Sequence, residues 1–144
     1  MDFFVSDELA EHRRAAREWV AANVPPEWLE EQHRLGLHQS MPLHERLARD
    51  RILGAGWPAE YGGSDVDPDF ARAVYEEIAS EGFHMDGWAT TMIVINTIIR
   101  VGTEEQKRTY ITEALRGNVM VALGYSEPDS GSDAAAAKSL AEPV

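Results

Sequence analysis

Proline at the start and glycine at the end of successive segments divides this chain into helix-sized pieces, and that punctuation constrains the fold most. Pro42 and Pro68 suit first turns of helices, where the missing N–H is one the helix could not have paired anyway. Gly54, Gly82, Gly102 and Gly117 each follow a segment whose apolar residues recur at helical spacing. Ser6 can cap a first helix, with Asp7 and Glu8 in its positively polarised first turn. Leu9, Ala15, Ala16, Trp19 and Val20 give that helix an apolar face, and Pro25-Pro26 ends it. A short helix is expected from Trp28 to Leu35. The next runs from Pro42 to Leu53 on Leu43, Leu47 and Ile52, and another opens at Pro68 on Phe70, Ala71, Val74 and Ile78.

Asp86 is a candidate cap for the stretch Trp88 to Val101, which is apolar nearly all round and therefore expected to be the buried central helix. Thr103 and Gln106 stand at capping-box separation, and Tyr110, Ile111, Ala114 and Leu115 supply the inward face of the helix that follows. The period then changes: Val119 to Leu123 is β-prone and is the only convincing strand. The expectation is an all-α fold, a helical bundle of about five to six helices with one short C-terminal strand. A lone strand cannot satisfy its own backbone groups, so either it docks irregularly on the helices or its sheet lies elsewhere. The segment Gly56 to Gly63 reads as a connecting loop that Trp57 and Tyr61 plug onto the bundle.

A chain of 144 residues with 44% hydrophobic content can bury one real core. Its 25 acidic against 13 basic residues give a net charge of -12, which argues against nucleic acid or an anionic membrane surface as partner. Cysteine is absent, which excludes disulfides, thiolate metal sites and a cysteine nucleophile. The longest apolar stretch, near Met92 to Ile99, is too short for a membrane span, and the N-terminus lacks a basic region followed by an apolar one. The cytoplasm is the expected location.

Several tempting motifs fail on context. Gly54-Ala55-Gly56 follows a helix, and Ala59 stands where a dinucleotide loop needs its third glycine. Asp129-Ser130-Gly131 resembles a trypsin-like nucleophile only superficially, because that chemistry needs a β-barrel scaffold. His12, His33, His38, His44 and His84 form no helical pair at ligand spacing, so surface or capping roles are expected and no metal site is assigned. Glu76, Glu77 and Glu81 suit a solvated helix face, and core packing is favoured over an acyl pocket for Met85, Trp88 and Met92.

The run Leu123 to Asp133 is different: an apolar segment leads into a turn dense in hydroxyls, carboxylates and glycine, which brings N–H groups and small side chains close to a ligand. Ser126-Glu127-Pro128 followed by Gly131-Ser132-Asp133 resembles the flavin-contacting signature of acyl-CoA dehydrogenases. Gly56-Trp57-Pro58-Ala59-Glu60-Tyr61-Gly62-Gly63, and Gly102-Thr103-Glu104-Glu105-Gln106-Lys107 with Tyr110, are similar to stretches of that family in the same order. The resemblance implies an N-terminal helical domain over residues 1–117, then the first strand and flavin turn of a middle β-domain over 118–144. It implies FAD as cofactor, with backbone groups of Leu123 and Tyr125 and the Ser126 hydroxyl at the isoalloxazine edge, and Ser132 near the bound acyl-CoA.

The implied reaction is α,β-desaturation of an acyl-CoA thioester, a carboxylate removing the α-proton while hydride passes from the β-carbon to the flavin. Electron-transfer flavoprotein or a similar acceptor, and a homo-oligomeric parent enzyme, are implied with it. No residue of this chain is assigned as the catalytic base, so the 144-residue chain alone is expected to be inactive. The pattern departs from the family at Asp129 and Ser130, where Gly and Ala are frequent, and in the alanine run after Asp133. An acyl-CoA oxidase, a flavin monooxygenase or a nitroalkane oxidase on the same scaffold stays open. So does a non-catalytic helical interaction module.

Overall fold

Helix ends fall where local capping chemistry and a few long-range side-chain bonds put them. The computed structural model describes residues 6–124, 126–140 and 142. Helix α1 spans Asp7–Asn23, and the Ser6 hydroxyl accepts from the Leu9 N–H at 3.2 Å. Helix α2, Pro26–Leu35, starts earlier than the expected Trp28 because Pro26 itself takes its first turn. Helix α3 spans Met41–Arg49 and stops short of the expected Leu53. The Asp50 carboxylate accepts from Trp19 Nε1 at 3.0 Å and from Arg46 Nε at 3.1 Å, which ties the end of α3 to α1. Arg51 then turns into the left-handed region at φ 62°, and Ile52 and Leu53 stay buried in a 3₁₀ turn.

Helix α4, Pro68–Ser80, is capped by Asp67, whose Oδ1 accepts from the Asp69 N–H at 2.8 Å. It packs along α1, where the small buried side chains Ala16 and Ala71 sit beside Val20, Val74 and Ile78. Leu43 and Leu47 of α3 and Ile111 complete the floor of this core, all at 0% exposure. Between α3 and α4 the chain turns so tightly that a Cβ at Gly63 would stand 1.8 Å from the Trp57 carbonyl oxygen. Only glycine fits there. Tyr61 is buried as expected, and its hydroxyl donates to Glu104 Oε2 at 3.0 Å.

Helix α5 spans Asp86–Val101, and two expectations about it are corrected. Asp86 is not its cap. The Gln39 Oε1 accepts from the Trp88 N–H at 3.1 Å, a cap supplied from another part of the chain, and Asp86 instead accepts from His38 Nδ1 at 2.9 Å. Nor is α5 buried all round: Trp88, Thr91 and Ile95 face the core, while Ile93 is 53% and Val101 79% exposed. Apolar periodicity cannot tell a helix enclosed on every side from one that keeps an uncovered apolar face.

Helix α6, Glu104–Gln106, passes through a π-helical turn, Lys107–Ile111, into α7, Thr112–Leu115. Both capping-box bonds form, Gln106 N–H to Thr103 Oγ1 at 3.2 Å and Thr103 N–H to Gln106 Oε1 at 2.9 Å. The wider π turn shifts the helical register, so Tyr110 points outward at 48% exposure while Ile111, Ala114 and Leu115 are buried. The expected C-terminal strand does not form: 119–124 is irregular, and the described residues contain only isolated bridges. A ladder needs a neighbouring strand, and this segment lies against α5 instead. No helix among the described residues is long and apolar enough to cross a membrane.

Candidate functional site

The segment that leaves α7 returns across the first turns of α5 and makes one wall of a groove of about 410 Å³. Asp86, Gly87 and Thr90 line the helix side, and Met120, Val121, Ala122 and Leu123 line the other. Two features of α5 seat the segment. At Gly87 a Cβ would lie 2.9 Å from the Met120 sulfur, so the absent side chain is what lets Met120 lie down. One turn on, the fully buried Thr91 donates its hydroxyl proton to the Gly87 carbonyl at 2.8 Å and accepts from the Val121 N–H at 2.8 Å.

Leu123 lies in this wall at 37% exposure. Ser126 and Ser132 are exposed, and among the described residues neither hydroxyl meets a hydrogen-bond partner within the chain. Tyr125 lies outside the described residues. The turn between the two serines is held by its own bonds: Glu127 N–H to Ser130 O at 2.8 Å, Ser130 N–H to Glu127 O at 3.1 Å, and Ser130 Oγ to Asp133 O at 3.0 Å. The Glu127 carboxylate accepts from the Ser139 N–H at 2.7 Å and the Lys138 N–H at 2.8 Å. The Ser139 side chain, with the Lys138 and Ser139 amides, holds its carboxyl below the usual carboxylate range. Glu127 therefore organises the turn and the chain after it, and its carboxylate is engaged rather than free to take a proton from a substrate.

The larger cavity, about 680 Å³ beside α3 and Gly117, has a different character. Arg51 and Arg116 on its lining are paired with Asp65 at 3.1 Å and Glu113 at 3.3 Å, and Glu45 lies among them. Arg49 lines it too, so three arginines and Glu45 make it a charged cavity rather than an apolar one. The α5 groove combines apolar side chains of 120–123 with Asp86 and Thr90, the mainly apolar composition of a small-molecule site.

Residues 6–118 match the family described as acyl-CoA dehydrogenase, N-terminal domain. The chain belongs to the acyl-CoA dehydrogenase family. It is 34% identical over 108 residues to mitochondrial isovaleryl-CoA dehydrogenase of Solanum tuberosum, covering 74% of this chain and 26% of that protein. Acyl-CoA dehydrogenase FadE26 of Mycobacterium tuberculosis is 36% identical over 90 residues, 62% of this chain and 22% of the relative. Among solved structures, the ChsE4-ChsE5 complex from Mycobacterium tuberculosis superposes with TM-score 0.74 at 30% identity, covering 95% of this chain and 35% of that one. The Tcur3481-Tcur3483 steroid ACAD gives TM-score 0.71 at 30% identity over 95% of this chain and 36% of that one. The chain thus spans about a quarter to a third of the length of the curated relatives it matches.

Sequence reasoning found the turn of this acyl-CoA dehydrogenase domain but missed what seats it. Gln39, Gly87 and Thr91 carry no motif. No sequence signal marks Thr91, because a threonine inside a helix can satisfy its hydroxyl on the carbonyl four residues back. His44 was also misplaced: it is not a surface or capping residue but lies at 0% exposure against Trp88, ring centroids 5.5 Å apart.

Proposed function

We propose that the chain is the N-terminal part of a flavin-dependent acyl-CoA dehydrogenase that desaturates an acyl-CoA thioester between its α- and β-carbons. Residues 1–117 are the helical domain, and 118–144 begin a middle β-domain; the family match ending at residue 118 supports that boundary. The observation that carries the reading is the wall 120–123, seated on α5 shortly ahead in the chain of the exposed Ser126 and Ser132.

The residues present fit the polar edge of a flavin ring. An apolar groove is followed in the chain by exposed serines, so one face can exclude water while the other is wet and hydrogen-bonded. In this reading Leu123 and Tyr125 offer backbone groups and Ser126 a hydroxyl to the ring edge. Ser132 faces the thioester side, and Met120 and Ala122 shield the groove. FAD, when bound, supplies the acceptor for the hydride that leaves the β-carbon. The carboxylate that takes the α-proton is not among this chain's assigned residues, since Glu127 is committed to the Lys138 and Ser139 amides. Electrons pass on to electron-transfer flavoprotein or a similar acceptor. The working enzyme is an oligomer of the longer chain, located in the cytoplasm.

Two measurements test this. The protein expressed from its natural gene should show flavin absorption bands and reduce an artificial electron acceptor when given acyl-CoA. The 144-residue chain should do neither. Fast reoxidation of the reduced flavin by oxygen would replace the dehydrogenase by an oxidase or monooxygenase on the same scaffold, and absence of flavin from the natural protein would leave a non-catalytic helical module.

A further inference from the structure

A segment that is to meet a cofactor has to be held in register. The Thr91 hydroxyl is one donor with two lone pairs. Its proton goes to the Gly87 carbonyl of the same helix at 2.8 Å, which turns a lone pair toward the Val121 N–H, also at 2.8 Å. That bond ties the segment to α5, and Thr91 itself is fully buried, so breaking it strands a polar group where that is costly. Met120, the preceding residue, lies against Gly87 one turn earlier. Two consecutive residues of the wall are therefore fixed by a single turn of α5, just ahead of Leu123.

Thr97 shows that helix chemistry alone does not explain this. It makes the same kind of bond to the carbonyl four residues back, Ile93, at 3.0 Å, yet it is exposed and does not touch the wall. We propose that Thr91 is the positioning residue of the flavin site: its hydroxyl sets where Leu123 to Ser126 meet the ring edge, without touching the cofactor itself. The inference rests on the flavin reading above.

The test uses the protein expressed from its natural gene, with T91V, T91S, T97V and G87A compared by Val121 amide exchange, FAD affinity and the visible flavin spectrum. T91V removes the hydroxyl at nearly constant shape, so Val121 exchange should rise and FAD affinity fall by about tenfold each, with a shifted flavin envelope. T91S keeps the hydroxyl and should hold both near wild type. T97V should change neither. If T91V does not fold, G87A disturbs the same anchor from the Met120 side and should weaken FAD while leaving the hydroxyl in place. Faster Val121 exchange in T91V with unchanged FAD affinity and spectrum would overturn the positioning role and leave the flavin reading standing. Equal losses in T91S and T91V would overturn it too. A wild-type protein that holds no flavin would remove both readings together.

Discussion

His44 offers the sharpest test of the core, because it is buried without serving anything the core requires. It is 0% exposed, and among the described residues neither Nδ1 nor Nε2 has a hydrogen-bond partner. One ring face lies toward Trp88 at 5.5 Å and 54°, and Nε2 lies near the Gly117 turn. Leaving a polar group buried and unpaired costs about 1–3 kcal/mol. The aromatic contact returns about 0.5–1.5 kcal/mol. H44M removes the polar atoms, fills a similar volume, and keeps a sulfur–aromatic contact of about 0.3–1.5 kcal/mol with Trp88. The central values sum to an advantage for H44M of about 2 kcal/mol at neutral pH. Burial also lowers the pKa of His44, with the Glu45 charge opposing that shift. The unfolded chain therefore binds this proton more readily than the folded one. Stability is full above the unfolded value of about 6.5 and falls as pH drops below it, by up to about 1.4 kcal/mol per pH unit. Urea titrations followed by tryptophan fluorescence at pH 7.5 and pH 5.5 measure both effects. H44M should match or exceed wild type at pH 7.5, and its advantage should grow at pH 5.5. A loss of more than about 2 kcal/mol at pH 7.5, or an advantage independent of pH, would refute the reasoning.

Three further outcomes follow from particular contacts. G63A places a methyl 1.8 Å from the Trp57 carbonyl oxygen, so the 56–63 turn must open; thermal melting should fall by more than about 3 kcal/mol of stability or show no cooperative transition. T103A removes one half of the capping box before α6 and should cost about 1 kcal/mol by chemical denaturation, with faster exchange of the Gln106 amide. For Glu127 the folded carboxyl titrates below its ordinary value, so its hold on the Lys138 and Ser139 amides is full above about pH 4.5 and lost as pH falls through the lowered value. Exchange of those two amides, corrected for intrinsic pH dependence, should accelerate on acidification and should already be fast in E127A at neutral pH.

Local chemistry written in the sequence determined the helical class, most helix starts and ends, and the family. Ser6, Pro42, Pro68, Gly82 and the Thr103–Gln106 box act within a few residues of themselves, so they are legible without knowing what packs against them. The turn from Ser126 to Asp133 was legible for the same reason. Tertiary structure decided the rest. Trp19 reaching Asp50 shortened α3, and Gln39 displaced Asp86 as the cap of α5. The π turn swung Tyr110 outward, and His44 went into the core. The segment Val119 to Leu123 had strand propensity but runs irregularly against α5, where the Thr91 hydroxyl accepts from the Val121 N–H. The Trp19–Asp50, Gln39–Trp88 and Thr91–Val121 bonds join residues distant in the chain, and sequence spacing holds no record of which distant donor will find which acceptor.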